Sequence, residues 1–76
     1  LSRLNNVTGR QAMRVAERRG WSLRRTAGDH FIYSHPRLLR NLSIPDHREL
    51  DPGTLRALIR NMEMTVDEFL GELGRR

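Results

Sequence analysis

The chain has 76 residues, 37% of them hydrophobic, and a net charge of +5 that comes from 14 arginines, with no lysine and no cysteine. That size sets the expectation of one domain over residues 1–76, with a modest core and a function that lies on a surface rather than in a deep cavity. The lack of cysteine excludes disulfides and thiolate metal sites, and with no apolar run of membrane-spanning length and no visible signal peptide the expectation is a cytoplasmic protein.

Residues 1–7 are polar and are expected to be loose. Thr8 is placed to cap a helix from about Gly9 to Arg19, with Gly20 just past its end. Ala12, Met13, Val15 and Ala16 recur at helical spacing, while Arg10, Arg14 and Arg18 share another face. Trp21 to Thr26 alternates as a strand, with Trp21, Leu23 and Arg25 on one side. Ala27-Gly28-Asp29 is a turn, and His30 to His35 is a second strand, rich in aromatic and β-branched residues. Its three consecutive apolar residues leave the core-facing side undecided. Pro36 ends it, because proline has no donor for the ladder. Residues 37–39 turn the chain into a short third strand, Arg40 to Ile44, which Pro45 closes.

Asp46 to Leu50 is a loop. Asp51-Pro52 starts a helix that runs to about Asn61, with Leu55, Leu58, Ile59 and Met62 as its apolar stripe. Thr65 and Glu68 form a capping box for a last helix in which Val66, Phe69, Leu70 and Leu73 face inward. Gly74-Arg75-Arg76 is a frayed tail. The order α-β-β-β-α-α predicts a two-layer α+β domain, a three-stranded antiparallel sheet with helices on one face.

The charge is uneven. Residues 1–40 hold nine arginines and two acids, a net +7, and residues 41–76 hold five arginines and seven acids, a net −2. The basic half fits a polyanion, because the planar guanidinium matches phosphate oxygens. Genome base composition is an equal explanation of arginine over lysine. His30 joins a turn to a strand start, with Arg24, Arg25, Arg37 and Arg40 near it in sequence. An imidazole exchanges protons near neutral pH, and fixed positive charge offsets the charge that builds on a phosphodiester as it is cut. Asp29 either orients the His30 ring or caps the turn. His35 reads as a strand-end residue. His47 is a candidate for substrate contact or for bonding its own loop. These three histidines lack a metal-ligand spacing, so no metal or other cofactor is expected. The last helix carries Asp67, Glu68 and Glu72, which argues against DNA binding by the two C-terminal helices.

Gly28-Asp29-His30 with Ile32-Tyr33, then Pro45 and His47, then Pro52-Gly53-Thr54-Leu55-Arg56 and Ile59, follow an opening Thr8-Gly9-Arg10 helix and Gly20-Trp21. In this order and spacing they resemble the HicA toxins, also called YcfA-like proteins, over about residues 7–73. The resemblance implies a double-stranded-RNA-binding-like fold. It implies a toxin that cleaves mRNA without a metal, an mRNA interferase with one catalytic histidine, neutralised by a HicB-type antitoxin. The family histidine maps onto His30. The commonest family pattern is Gly-Ser-His, so Asp29 stands where serine is usual, and its negative charge either weakens phosphate binding or favours an imidazolium.

The candidate site is therefore His30 as catalyst, with Arg24, Arg25, Gly28, Arg37, Arg40 and His47 as RNA contacts. Two other readings stand beside it. One is a non-catalytic RNA-binding domain with the same fold. The other is an interaction module that works through its partner.

Overall fold

The computed structural model describes residues 4–74. The elements run α1 (Gly9–Arg18), β1 (Ser22–Ala27), β2 (His30–His35), β3 (Leu38–Pro45), α2 (Pro52–Asn61) and α3 (Val66–Leu73). The strands form one antiparallel sheet in the order β1-β2-β3. This is the expected α-β-β-β-α-α arrangement, an α+β fold of the double-stranded-RNA-binding kind. The tail residues Arg75 and Arg76, and residues 1–3 at the other end, lie outside the described range.

Each helix starts where local hydrogen bonding favours it. At α1 the Thr8 hydroxyl accepts from the Gln11 N–H at 3.0 Å, and the Gln11 side chain accepts from the Thr8 N–H at 2.9 Å. At α2 the Asp51 carboxylate accepts from the N–H groups of Gly53 and Thr54, and Pro52 holds the first helical position. Thr65 and Glu68 form the same reciprocal box at α3. After α1 the chain reverses through Gly20 at φ +94, a conformation in which a side chain would be strained.

The register decides which side of β2 is buried. Tyr33 lies opposite Leu42 and Phe31 opposite Ile44, and these four point toward the helices. They meet Ala12, Val15 and Ala16 of α1, Leu55 and Ile59 of α2, and Phe69 of α3. His30, Ile32 and Ser34 are left on the open face by the two-residue period. The Tyr33 hydroxyl donates to Glu17 at 2.8 Å, so the buried ring keeps its polar tip bonded. Burial, and then this carboxylate, hold the phenol above its ordinary pKa.

Several expectations change. Residues 4–7, the described part of the N-terminal segment, are not loose: Leu4 and Val7 are 1% and 2% exposed and belong to the core. Burial of such a side chain contributes roughly 1.5–3 kcal/mol, enough to hold a short segment. The Leu50 N–H also donates to the Val7 carbonyl at 2.7 Å. β3 starts two residues early, at Leu38, and includes Pro45, which is tolerated at the end of an edge strand. Trp21 precedes β1 and packs edge-on against His35, with ring centroids 5.2 Å apart. β1 breaks register between Leu23 and Arg25, so Leu23 faces Tyr33 while Arg25 faces Ile32. Leu23 and Arg25 therefore do not share a side, and all six residues of β1 are exposed.

Glu72 turns inward from α3. It accepts from Arg18 Nε at 2.9 Å, lies 3.4 Å from Arg19 Nε, and its backbone carbonyl accepts from Arg18 Nη2 at 2.8 Å. These contacts tie the last helix to the end of the first.

The start of α1 presses on the end of β3. The Gly9 N–H donates to the His47 carbonyl at 2.9 Å, and a Cβ at Gly9 would overlap the Pro45 carbonyl oxygen. Gly9→Ala is expected to destabilise the fold by about 1–3 kcal/mol, as overpacking does. A chemical denaturation midpoint equal to that of the parent chain would contradict this close fit.

Candidate functional site

Three backbone hydrogen bonds bring distant segments to one end of the sheet. Gly28, at φ +60, closes the β1–β2 turn and leaves Asp29 and His30 at its exit. The Asp46 N–H donates to the Asp29 carbonyl at 2.7 Å. The bonds from Gly9 to His47 and from Leu50 to Val7 hold the rest of the 46–50 loop against the start of α1. Residues 29, 30, 46 and 47 are thereby neighbours, with Arg10 beside them.

Asp29 sits between two histidines. Its Oδ1 is 2.9 Å from His30 Nδ1 and its Oδ2 is 3.0 Å from His47 Nε2. The imidazole centroids are 6.4 Å apart, with the rings inclined at 69°. The His30 and His47 side chains are 44% and 51% exposed, so both reach solvent. The hydrogen bond from His47, and more weakly that from His30, hold the Asp29 carboxyl below its ordinary value against the effect of desolvation. Of the two readings of Asp29, the one that orients His30 matches this geometry.

Arg10 pairs with Asp46 through two parallel bonds, Nε to Oδ1 and Nη2 to Oδ2, each 3.1 Å. Its guanidinium also lies 5.7 Å from the centre of the Phe31 ring. The hydrogen bond from Arg10 comes first among the causes that hold the Asp46 carboxyl below its ordinary value.

The arginines divide. The register places Arg25 on the open face of β1, one alternate position along from Ala27, which pairs with His30. Arg24 is the extra residue at the register break and is exposed. Arg37 and Arg40 do not gather at His30. Arg37 lies in the β2–β3 turn at the opposite end of the sheet, because His35 pairs with Leu38 and His30 with Pro45. Arg40 is directed to α2, where it donates to the Asn61 carbonyl at 3.4 Å and lies 3.3 Å from Glu63. Nearness in sequence across a hairpin end is not nearness in space. In their place the fold supplies Arg10, Asp29 and Asp46. No spacing rule links residue 10 with residue 46, so only the assembled fold shows that pair.

His35 is committed to structure. Its Nδ1 accepts from the Arg37 N–H at 3.1 Å, which leaves the proton on Nε2 to donate to the Arg19 carbonyl at 3.1 Å. A groove of about 300 Å³ between α1 and β1, floored by Leu23, Phe31 and Tyr33, is on the helix side of the sheet. Neither His30 nor His47 lines it, and Arg10 stands where it meets the corner that holds them. Among the described residues no group of three or more histidines and acids is arranged to hold a metal ion, and no helix is long and apolar enough to cross a membrane.

A family model described as the HicA toxin of bacterial toxin-antitoxin systems matches residues 9–64. The chain belongs to the HicA toxin family. The match spans α1 through α2 and leaves out α3, so it is shorter than the span of about residues 7–73 read from the motifs. No curated protein matches the chain. HicA membership makes it a toxin of the toxin–antitoxin kind and implies an antitoxin partner in general.

The two lowered carboxylates set a direction for acid stability. A carboxyl depressed on folding contributes stability that is full above its unfolded value, near 3.8, and is lost as pH falls through its folded value. The melting temperature is expected to fall in this acid range. Asp46→Asn is expected to shrink the fall, because the amide has no proton to gain. Melts of both proteins between pH ~5 and pH ~2 check this, and an equal acid loss in the two would contradict it.

Proposed function

We propose that this HicA-family chain is a metal-independent endoribonuclease that cleaves mRNA through His30 and is silenced by a HicB-type antitoxin. One observation carries the reading: an exposed imidazole at the start of β2 has Nδ1 bonded to Asp29 and Nε2 without a partner among the described residues. An Nδ1–H held by a carboxylate leaves Nε2 as the lone pair of a general base or, once protonated, as an acid. RNA carries its own nucleophile in the 2′ hydroxyl, so the catalytic demand is proton transfer plus charge stabilisation. Arg24 and Arg25 on β1 and Arg10 on α1 provide positive charge around the histidine, and Gly28 offers the backbone of the turn for close approach. Arg37 would contact only a strand of RNA that extends to the far end of the sheet, and Arg40 only one that also reaches the edge beside α2.

An antitoxin that silences this site is expected to cover the His30 end and to set acidic residues against the arginines. A complex that leaves His30 open to solvent and is still inactive would overturn simple occlusion.

Induced expression without an antitoxin, with growth and total mRNA integrity followed together, tests the function. The wild-type chain is expected to arrest growth and degrade mRNA. His30→Ala is expected to do neither, with purified cleavage reduced by ~100-fold or more and RNA binding retained. Arrest by both proteins would instead mark toxicity through RNA binding without catalysis, and arrest by neither would mark a module that acts through its partner.

A further inference from the structure

Cleavage of a phosphodiester by the 2′ hydroxyl needs two proton transfers, one from the attacking oxygen and one to the departing oxygen. His30 alone accounts for one of them. We infer that His47 is the second acid–base residue of this reaction, and that Asp29 is the positioning carboxylate that holds the two rings as a pair. The inference rests on the nuclease reading of the same site.

The geometry provides a division of labour. Each ring spends one nitrogen on Asp29, Nδ1 for His30 and Nε2 for His47. The other nitrogens, Nε2 of His30 and Nδ1 of His47, have no partner among the described residues. In an in-line displacement the attacking and leaving oxygens stand on opposite sides of phosphorus. An acid and a base must therefore flank the phosphate. The two rings form an edge-on pair with centroids 6.4 Å apart, joined by one carboxylate and both reaching solvent, so a phosphate that docks at this corner meets both. Neither ring belongs to the hydrophobic core, and the His47 loop is anchored through its backbone, so the side chain is not needed to hold the loop.

The charged groups around the pair are Asp29 between the rings, Asp46 with Arg10 beside His47, and Arg25 on the strand next to His30. His30, with Nδ1 held by Asp29, offers the lone pair of Nε2 as the base, and the proton for the leaving oxygen then comes from His47. The O2′–P bond forms as the P–O5′ bond breaks. The 2′ proton passes to His30 Nε2, and the proton of His47 Nδ1 passes to O5′. The products are a 2′,3′-cyclic phosphate and a 5′ hydroxyl. His30 gains the proton that His47 gives up, so the pair carries the same total charge before and after the step.

A short RNA and the same RNA with sulfur in place of the bridging 5′ oxygen test the assignment, because a thiolate leaves without an acid. His47→Ala is expected to lose ~100-fold or more on the oxygen substrate and to recover near wild-type rate on the sulfur substrate. His30→Ala is expected to lose activity on both. The wild-type rate is expected to show a bell-shaped pH dependence, and His47→Ala one limb of it. His47→Gln, whose amide can still donate to Asp29, guards against a folding defect and is expected to match His47→Ala. Unchanged cleavage of the oxygen substrate by His47→Ala, or equal losses on the two substrates, would overturn the assignment while the nuclease reading stands. A wild-type chain that cuts neither RNA would overturn that reading and this one with it.

Discussion

The arrangement depends on how closely the first turn of α1 can approach the end of β3. Glycine at residue 9 lets backbone meet backbone, with its N–H on the His47 carbonyl and the Pro45 carbonyl where a Cβ would be. This contact orients the helix over the sheet and holds the loop that follows β3. The loop bonds in turn to the β1–β2 turn through Asp46 and to the N-terminal segment through Leu50. Three stretches far apart in sequence, residues 7–10, 28–30 and 45–50, thus converge on one corner. The capping boxes and the core determine that there are helices and a sheet, and the Gly9 contact determines where this corner lies.

The electrostatics of the corner are local and compensated. Asp29 answers the two histidines, and Arg10 answers Asp46. Neither carboxylate is left to repel a phosphate by itself. This bears on the departure from the Gly-Ser-His pattern. A serine has a single oxygen on a shorter side chain, whereas the Asp29 carboxylate meets the two rings with two separate oxygens, Oδ1 for His30 and Oδ2 for His47. Both oxygens of the added carboxylate are thereby engaged by ring nitrogens.

Much of the fold was legible in the sequence because its signals are local. Asp51-Pro52, Thr65 with Glu68, and Gly20 after α1 mark ends by chemistry that acts within a few residues, and those ends are where they were expected. What failed depends on tertiary context. Leu4 and Val7 stand in a polar stretch with no periodicity, and only packing against the assembled core buries them. The apolar run Phe31-Ile32-Tyr33 could not choose a side until Leu42 and Ile44 were paired against it. The register break in β1 has no turn residue to announce it. At the candidate site, the position of His30 at the exit of the turn and the start of β2 was legible from the turn residues before it. The bridge from Asp29 to His47 was not, because it closes 18 residues of chain. Arg37 is not near His30 because a strand of six residues separates its two ends by roughly 16 Å, and Arg40 is not because its side chain turns to Asn61 and Glu63.

The exposed strand β1 has a consequence for association. An open edge offers unpaired backbone groups to any strand that approaches, and so invites sheet extension between like molecules. Here the edge carries a register break and two adjacent arginines, Arg24 and Arg25. Two copies meeting edge to edge would bring four guanidinium groups together across a kinked ladder. A strand bearing acids would encounter the same backbone without that repulsion. The edge therefore distinguishes self from non-self by charge: it resists homotypic growth of the sheet and stays permissive to a neighbour of opposite sign.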